Sequence, residues 1–106
     1  MNLRIAAARS EIDLGDRAHN FLLLTLARQR LADAAHGLAE ASCGWIYAQD
    51  LAHDPALASP KLDLDVLRIR RHLASYGVIG AADIIQRRRS TRQLRIGTGR
   101  IGIAKL

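Results

Sequence analysis

Residues 59–77 carry the signal that most constrains the fold of this chain. Ser59 is a favourable N-cap residue, and Pro60 suits the first helical position because its missing N–H would have no partner there. Four apolar residues then recur with helical spacing, at Leu62, Val66, Ile69 and Leu73. Gly77 is a typical residue just beyond a helix end. The pattern predicts an amphipathic helix over residues 60–76 that packs on a core through one stripe.

The side of this helix opposite the apolar stripe is rich in basic residues. On a helical wheel it collects Lys61, Leu64, Asp65, Arg68, Arg71 and His72. We expect this side to face solvent. Arginine there matches the two acceptors of guanine in the DNA major groove, which is wide enough for one α-helix. Asp65 would have to accept a hydrogen bond from cytosine or orient Arg68, since a carboxylate otherwise repels phosphate.

Strands and two further helices are predicted upstream. Alternating apolar and acidic residues predict a small hairpin within residues 1–14. A helical pattern covers residues 16–36 and ends at Gly37. Its shared face consists of Ala18, Phe21, Leu22, Thr25, Leu26, Gln29 and Ala32. A short second helix is expected over residues 48–53, because Pro55 disfavours helical geometry in the residue before it.

A basic hairpin is predicted after the amphipathic helix. Residues 84–87 and 93–96 are short alternating runs. The turn between them and its flanks carry Arg87, Arg88, Arg89 and Arg92. A charged turn that only discourages edge pairing needs fewer arginines, so we expect these side chains to reach DNA phosphates or a narrow minor groove. The hairpin and a final short strand are placed within residues 84–103.

The positive charge of the chain is concentrated in its second half. The net charge is +6 over 106 residues. Residues 1–60 contain five Arg against seven acids, a balance of −2, whereas residues 61–106 contain eleven Lys and Arg against three acids, a balance of +8. Such an asymmetry indicates a polyanionic partner, nucleic acid or an anionic surface, rather than charge that only solubilises the chain.

Composition argues against a secreted or membrane protein. Cys43 is the single cysteine, so neither a disulfide framework nor a cysteine-based metal site is expected. The longest apolar run, residues 21–24, is far shorter than the roughly 20 residues that span a bilayer. The first residues lack the pattern of a signal peptide. We therefore expect a cytoplasmic protein with no membrane partner.

Signals for enzyme chemistry are weak. Residues 97–102 match G-x-G-x-x-G, but the four residues that follow leave no room for the helix and acid that a dinucleotide site requires. We interpret these glycines as strand-end residues. Nothing in the sequence fixes a pair of Cys43 with one of the four histidines as nucleophile and base. We expect no enzyme activity, no cofactor and no metal.

The predicted order is strands, long helix, short helix, amphipathic helix and basic hairpin. This order is typical of an α+β winged helix-turn-helix domain, with a three-helix core, N-terminal strands and a C-terminal hairpin as the wing, here in one domain over residues 1–106. The apolar-Asp-apolar alternation of residues 62–66, followed by basic positions up to Leu73, resembles the recognition helix of the C-terminal effector domain of OmpR-type response regulators. Leu14-Gly15, before Phe21-Leu22, resembles the start of the first helix of that family.

The resemblance implies a bacterial transcription regulator. It implies that Arg68 and Arg70 fall at DNA-contacting positions and that residues 84–96 form the wing. The chain departs from the family in a longer connection over residues 29–47 and in lacking the Gly-Tyr pair of the wing. A weaker similarity, to the tail region that follows forkhead-associated domains in bacterial proteins, implies that regulation resides outside this segment.

We therefore predict sequence-specific binding to double-stranded DNA. The residues expected to contact DNA are Lys61, Arg68, Arg70, Arg71, His72, Arg87, Arg88, Arg89 and Arg92. The alternative is a protein-interaction module, in which the long helix or the connection around Trp45 docks another protein domain or a second copy of the chain, since a fold does not fix a function. Structured RNA is a third option for the partner.

Overall fold

The described part of the chain contains three α-helices and six antiparallel strands. The structure is a computed structural model and describes residues 2–6, 11–13, 20–57, 61–77, 80–98 and 101–104. The helices are α1 (Asn20–Ala35), α2 (Ala48–Leu51) and α3 (Lys61–Ser75). The strands are β1 (Asn2–Ala6), β2 (Glu11–Asp13), β3 (Ile46–Tyr47), β4 (Ile85–Arg88), β5 (Gln93–Ile96) and β6 (Ile101–Ala104). Single turns of 3-10 helix lie at Glu40–Ser42, Pro55–Leu57 and Ala81–Ile84. The expected α+β class is confirmed.

The strands form two three-stranded antiparallel sheets. One sheet has the order β2-β1-β6, and the other has the order β3-β5-β4. The hairpin β4–β5 therefore receives β3, which lies between the first two helices, as its third strand.

The prediction of a single wing over residues 84–103 is wrong at its end. The hairpin ends at Ile96, and β6 pairs with β1 in the other sheet, where Ile101 lies opposite Ile5. A break follows β5, where the Gly97 N–H donates to the Ile84 carbonyl at 2.7 Å. The pairing of β6 joins residues almost a whole chain apart, and a local alternation pattern contains no information about so distant a partner.

The core lies between α1, α3 and the inner face of the β4–β5 hairpin. Leu62, Val66, Ile69 and Leu73 are all buried, as the apolar stripe of α3 predicts. The buried apolar cluster consists of Leu22, Leu23, Leu26, Ala27, Leu51, Leu57, Leu62, Val66, Ile69, Leu73, Ala81, Ile85, Leu94 and Ile96. The stripe thus fixes which side of α3 faces outward.

The predicted inner face of α1 is rotated by about one residue from the observed one. Leu23, Ala27 and Arg30 are buried, whereas Phe21 and Ala32, expected inside, are exposed. Three consecutive leucines at residues 22–24 make the helix apolar over a wide arc, so periodicity alone does not select a face. The inward face is the one that contains the buried Arg30, because the guanidinium Nη1 of Arg30 donates to the Ile96 carbonyl at 2.9 Å.

The helices end largely as predicted. After α1 the Gly37 N–H donates to Ala34 and the Leu38 N–H donates to Asp33, which is the Schellman pattern, and Gly37 has the left-handed φ of +82° that this motif requires. Helix α2 is two residues shorter at its end than the predicted range 48–53, since residues 52–53 form a turn. The predicted cap at Ser59 and Pro60 lies outside the described residues.

Candidate nucleic-acid interface

The outer face of α3 carries two leucines and two arginines. Leu64, Leu67, Arg68 and Arg71 are exposed, with Leu64 at 44% and Leu67 at 43%. Their spacings of three and four residues make them neighbours on two successive turns. This set, called here the α3 outer face, lies opposite the buried stripe. The basic and exposed character predicted for this side is correct for Arg68 and Arg71.

Three other predictions for α3 require correction. Asp65, expected to face solvent, is only 2% exposed. Arg70 is half-buried, and its Nη2 donates to the Ile85 carbonyl at 3.1 Å, so that this guanidinium joins α3 to β4. His72 is half-buried, with its ring centroid 5.2 Å from that of Tyr76. All three lie on the flanks of the helix, where the wheel assigns a position less sharply than at the centre of either face. Lys61 is the first residue of α3, and its side chain lies outside the described part.

The turn of the β4–β5 hairpin presents two exposed arginines. Arg88 lies opposite Gln93, which leaves residues 89–92 as the loop. Arg89 and Arg92 are exposed, and no hydrogen bond or ion pair ties either side chain to another residue in the part of the chain that the structure describes. The Arg92 carbonyl accepts a hydrogen bond from the Ala48 N–H at 2.8 Å, which holds the loop against the start of α2.

Arg92 has an unusual backbone conformation. Its φ of +56° is the only left-handed value at a non-glycine residue among those described. Glycine or asparagine normally occupies such a loop position, because a Cβ meets the following carbonyl there. The left-handed backbone at Arg92 could not be predicted from the sequence, since residues 89–92, Arg-Ser-Thr-Arg, contain no turn-forming glycine.

Arg87 is paired within the molecule. Its Nη2 lies 2.7 Å from the Asp63 carboxylate Oδ1, in the first turn of α3. Arg87 points to the same side of the hairpin as the buried Ile85 and Leu94, because alternate strand residues share a face. This ion pair brings the loop end of the hairpin to the N-terminal end of α3. It also occupies the guanidinium that was expected to contact DNA.

Arg88 is stacked on an aromatic ring. Its guanidinium carbon lies 4.0 Å from the centroid of the Trp45 ring, and that of Arg95 lies 4.7 Å away. Cation–π contacts of this kind contribute about 0.5–2 kcal/mol each. The Trp45 Nε1–H donates to the Ala41 carbonyl at 3.0 Å. Arg88 is exposed but contributes to the packing of the hairpin's outer face, so among the four predicted hairpin arginines Arg89 and Arg92 are the two without a partner in the described residues.

Arg95 fastens the connection that follows α1. Its Nη1 donates to three carbonyl oxygens, of Glu40, Ala41 and Cys43, at 3.0–3.3 Å. Its Nε donates to the Gln86 side chain at 2.7 Å. Partial burial lowers the pKa of Arg95 below its usual value, and the positive charges of Arg30 and Arg88 lower it further. The connection of residues 38–45 is thus held against the β4–β5 hairpin by hydrogen bonds and is not a free loop.

Sequence reasoning missed Arg30, Trp45 and Arg95. The signal for Arg30 was present, because a charged residue four positions after the buried Leu26 interrupts the apolar face of α1. Trp45 and Arg95 were not predictable as a pair, since 50 positions separate them in the chain.

Within the described ranges no group of three or more His, Cys, Asp or Glu side chains is placed to hold a metal ion. Cys43 is buried, and its thiol Sγ–H donates to the Leu38 carbonyl at 3.4 Å. Gly97 directly follows β5, and a Cβ there would lie 2.1 Å from the Asp83 carbonyl oxygen. That contact explains a glycine at this position by packing.

None of the helices in the described residues combines the length and the apolarity needed to cross a membrane. Comparison of the chain with models of known protein families, with curated proteins and with solved structures finds no match.

Proposed function

We propose that the chain is a winged helix-turn-helix domain that binds double-stranded DNA. The order α1, β3, α2, α3, β4 and β5 supports this fold, because β3 follows the first helix and joins the sheet of the later hairpin. In such a domain the third helix enters the major groove, and the hairpin lies beside it on the DNA. The resemblance of α3 to the recognition helix of OmpR-type effector domains points in the same direction.

Arg92 is the observation that carries the proposal. A left-handed backbone costs a non-glycine residue roughly 1–2 kcal/mol. The chain nevertheless has an arginine at the tip of the hairpin, with its side chain in solvent and φ at +56°. Strain of this kind persists only where the surrounding structure holds it, and such outliers cluster at functional sites. A guanidinium at a protruding turn is well suited to phosphate, because its planar donors match two oxygens at once.

The arginines of α3 and the hairpin that have no partner among the described residues form two groups. Arg68 and Arg71 lie on the α3 outer face, and Arg89 and Arg92 lie in the hairpin loop. The ion pair between Arg87 and Asp63 holds the loop end of the hairpin beside the first turn of the helix. We assign base-edge contacts to the helix pair and phosphate contacts to the loop pair. Phosphate contacts dominate affinity, and base contacts set selectivity.

The test is a titration of fluorescently labelled random-sequence duplex at several salt concentrations between about 50 and 200 mM, followed by anisotropy. We expect log K to fall linearly with log salt. Arg89→Ala and Arg92→Ala are each expected to weaken binding to all sequences and to reduce the slope by about 1.

Arg28→Ala is the matched control, because it removes the same charge from the exposed side of α1. It is expected to leave the slope unchanged. An equal reduction of the slope by Arg28→Ala would show that only the net charge matters and would contradict the assignment of the loop. Absence of salt-dependent binding by the unmodified protein at micromolar concentration would contradict DNA binding itself.

A protein-interaction module is the second candidate, and exposed apolar residues on α1 favour it. Phe21 is 41% exposed and Leu31 is 37% exposed. The connection around Trp45 is a weaker docking surface than predicted. The indole N–H of Trp45 donates to a carbonyl within the molecule, and two arginines stack on the indole ring. Sedimentation velocity would support this candidate if the chain associates with itself and Phe21→Ser abolishes the association, in the absence of DNA binding.

A further inference from the structure

We propose that the α3 outer face recognises a short duplex element in which thymine lies next to guanine. Leu64 and Leu67 pack on thymine methyl groups, and Arg68 and Arg71 donate to O6 and N7 of guanine. This inference rests on the proposed DNA binding and specifies which base chemistry the helix reads.

The shape of the face fits such an element. Leu64 and Arg68, and likewise Leu67 and Arg71, are four residues apart, so each leucine has an arginine as its neighbour about 5–6 Å away. Successive base pairs are about 3.4 Å apart along the duplex. The four side chains therefore cover about two or three base steps. The buried stripe of α3 fixes their direction, since Val66 and Ile69 are held in the core.

Neither acid of the helix presents an unpaired, solvent-exposed carboxylate beside this face. Asp65 is buried, and the Asp63 carboxylate is neutralised by Arg87 at 2.7 Å. A carboxylate on the outward side of this helix would repel DNA phosphates and oppose its binding in the major groove. Here that repulsion is small. What remains in solvent at the centre of the helix is apolar and cationic.

The combination of leucines and arginines on the α3 outer face determines which bases it can recognise. Thymine is the one base that presents a methyl group in the major groove, and guanine is the one that presents two acceptors there. Arg68 and Arg71 beside the leucines, with Arg89 and Arg92 in the loop, complement phosphate charge. The balance of +8 in residues 61–106 agrees with an anionic partner.

The experiment begins with selection of bound sequences from a random duplex library by the full chain. The selected duplex is then remade with deoxyuridine for thymidine, which deletes only the methyl groups, or with 7-deazaguanine, which deletes only the N7 acceptor. We expect each contacted methyl to account for about a fourfold loss of affinity. We expect the 7-deazaguanine duplex to lose about fivefold to a hundredfold.

Variants assign the losses to side chains. The double variant Leu64→Ala/Leu67→Ala is expected to bind thymine and uracil duplexes equally, and the double variant Arg68→Ala/Arg71→Ala is expected to tolerate 7-deazaguanine. Leu38→Ala is the matched control, because Leu38 is also 44% exposed but lies on the connection after α1. It is expected to keep both sensitivities. All substituted positions are exposed, and circular dichroism checks that each variant is folded.

The outcomes separate this inference from the proposed function. Salt-dependent binding that is indifferent to uracil and to 7-deazaguanine would overturn the readout by α3 and leave DNA binding intact. Sensitivity that survives undiminished in the double variants Leu64→Ala/Leu67→Ala and Arg68→Ala/Arg71→Ala would assign the readout to another surface and would also overturn it. Failure of the unmodified protein to bind any duplex would overturn both.

Discussion

Arg92 combines a stability cost with an exposed charge. Its left-handed backbone is a local conflict between side-chain type and turn geometry. Gly37 has the same sign of φ after α1, where a glycine meets the requirement without strain. The required conformation is therefore met without strain at Gly37 and against the preference of the side chain at Arg92.

We expect Arg92→Gly to stabilise the protein while weakening DNA binding. Relief of the left-handed strain, less the greater backbone freedom of glycine in the unfolded chain, gives a gain of up to about 1 kcal/mol. Chemical denaturation measures the free energy of unfolding, and anisotropy with random duplex measures affinity.

Arg92→Ala is the control, since it removes the charge and keeps the strain. It is expected to weaken DNA binding as Arg92→Gly does, without the gain in stability. Equal unfolding free energies for the two variants would contradict the role assigned to the backbone.

The connection after α1 is the element whose structure differs most from a sequence-based expectation. The sequence predicts a connection here, and the alternative to DNA binding places a docking surface around Trp45. In the structure Arg95 binds three of its carbonyls, and the Gly44 N–H donates to the Asp33 carboxylate at 2.8 Å. Gly44 packs so closely that a Cβ would lie 2.9 Å from the Cβ of Arg30. The connection therefore stiffens the sheet from which the hairpin loop projects.

We expect Arg95→Lys to loosen this connection although it keeps the charge. A lysine ammonium lacks the planar fork that donates to several carbonyls and stacks on a ring. The loss is about 1–3 kcal/mol of unfolding free energy. Trp45 is the single tryptophan, so its emission reports the change directly, with a shift to longer wavelength as the ring becomes wetter.

Arg88→Lys is the comparison for this prediction. Arg88 shares the stack on Trp45 but has only one weak hydrogen bond, to the Ala41 carbonyl at 3.4 Å. Its replacement is expected to cost less stability than that of Arg95. A larger effect at Arg88 would mean that stacking, rather than the carbonyl bonds, holds the connection.

Prediction from sequence succeeded where the residues of one element are sufficient to determine its buried face or its end. The stripe from Leu62 to Leu73 gave the buried face of α3, and Gly37 gave the end of α1. It failed where an assignment depends on a distant partner. Nothing near Arg87 in the sequence indicates Asp63, and nothing near Arg88 indicates Trp45, although these contacts decide which arginines are free.

At the scale of the whole molecule, the two sheets differ in how they are built. The sheet β3-β5-β4 uses strands from the second and last thirds of the chain and packs on the core. The sheet β2-β1-β6 has β1 at its centre, paired on one side with a local strand and on the other with β6. The sheet β3-β5-β4 is therefore tied to α1 and α3, whereas the sheet β2-β1-β6 is joined across the chain by β6, which pairs with β1 and also contacts α1.

We expect removal of residues 101–106 to expose β1 selectively. Without β6, the backbone of residues 2–6 loses a partner strand along one edge. Hydrogen exchange should speed up in these residues, while β4 and β5 keep their protection, and the midpoint of thermal unfolding should fall. Equal acceleration in both sheets would show that the molecule unfolds as a single unit.

The pairing of β1 with β6 also has a consequence for biosynthesis. Asn2 lies opposite Ala104, so about 100 residues must be translated between the two partners. At about 5–20 residues per second, roughly 5–20 s pass in which β1 has emerged while its partner does not yet exist. During that interval the nascent chain carries an open strand edge, the kind of surface that invites pairing with a neighbouring chain on the same messenger. Slow translation of the last third would lengthen this exposure, and holding chaperones would be most useful before β6 is made.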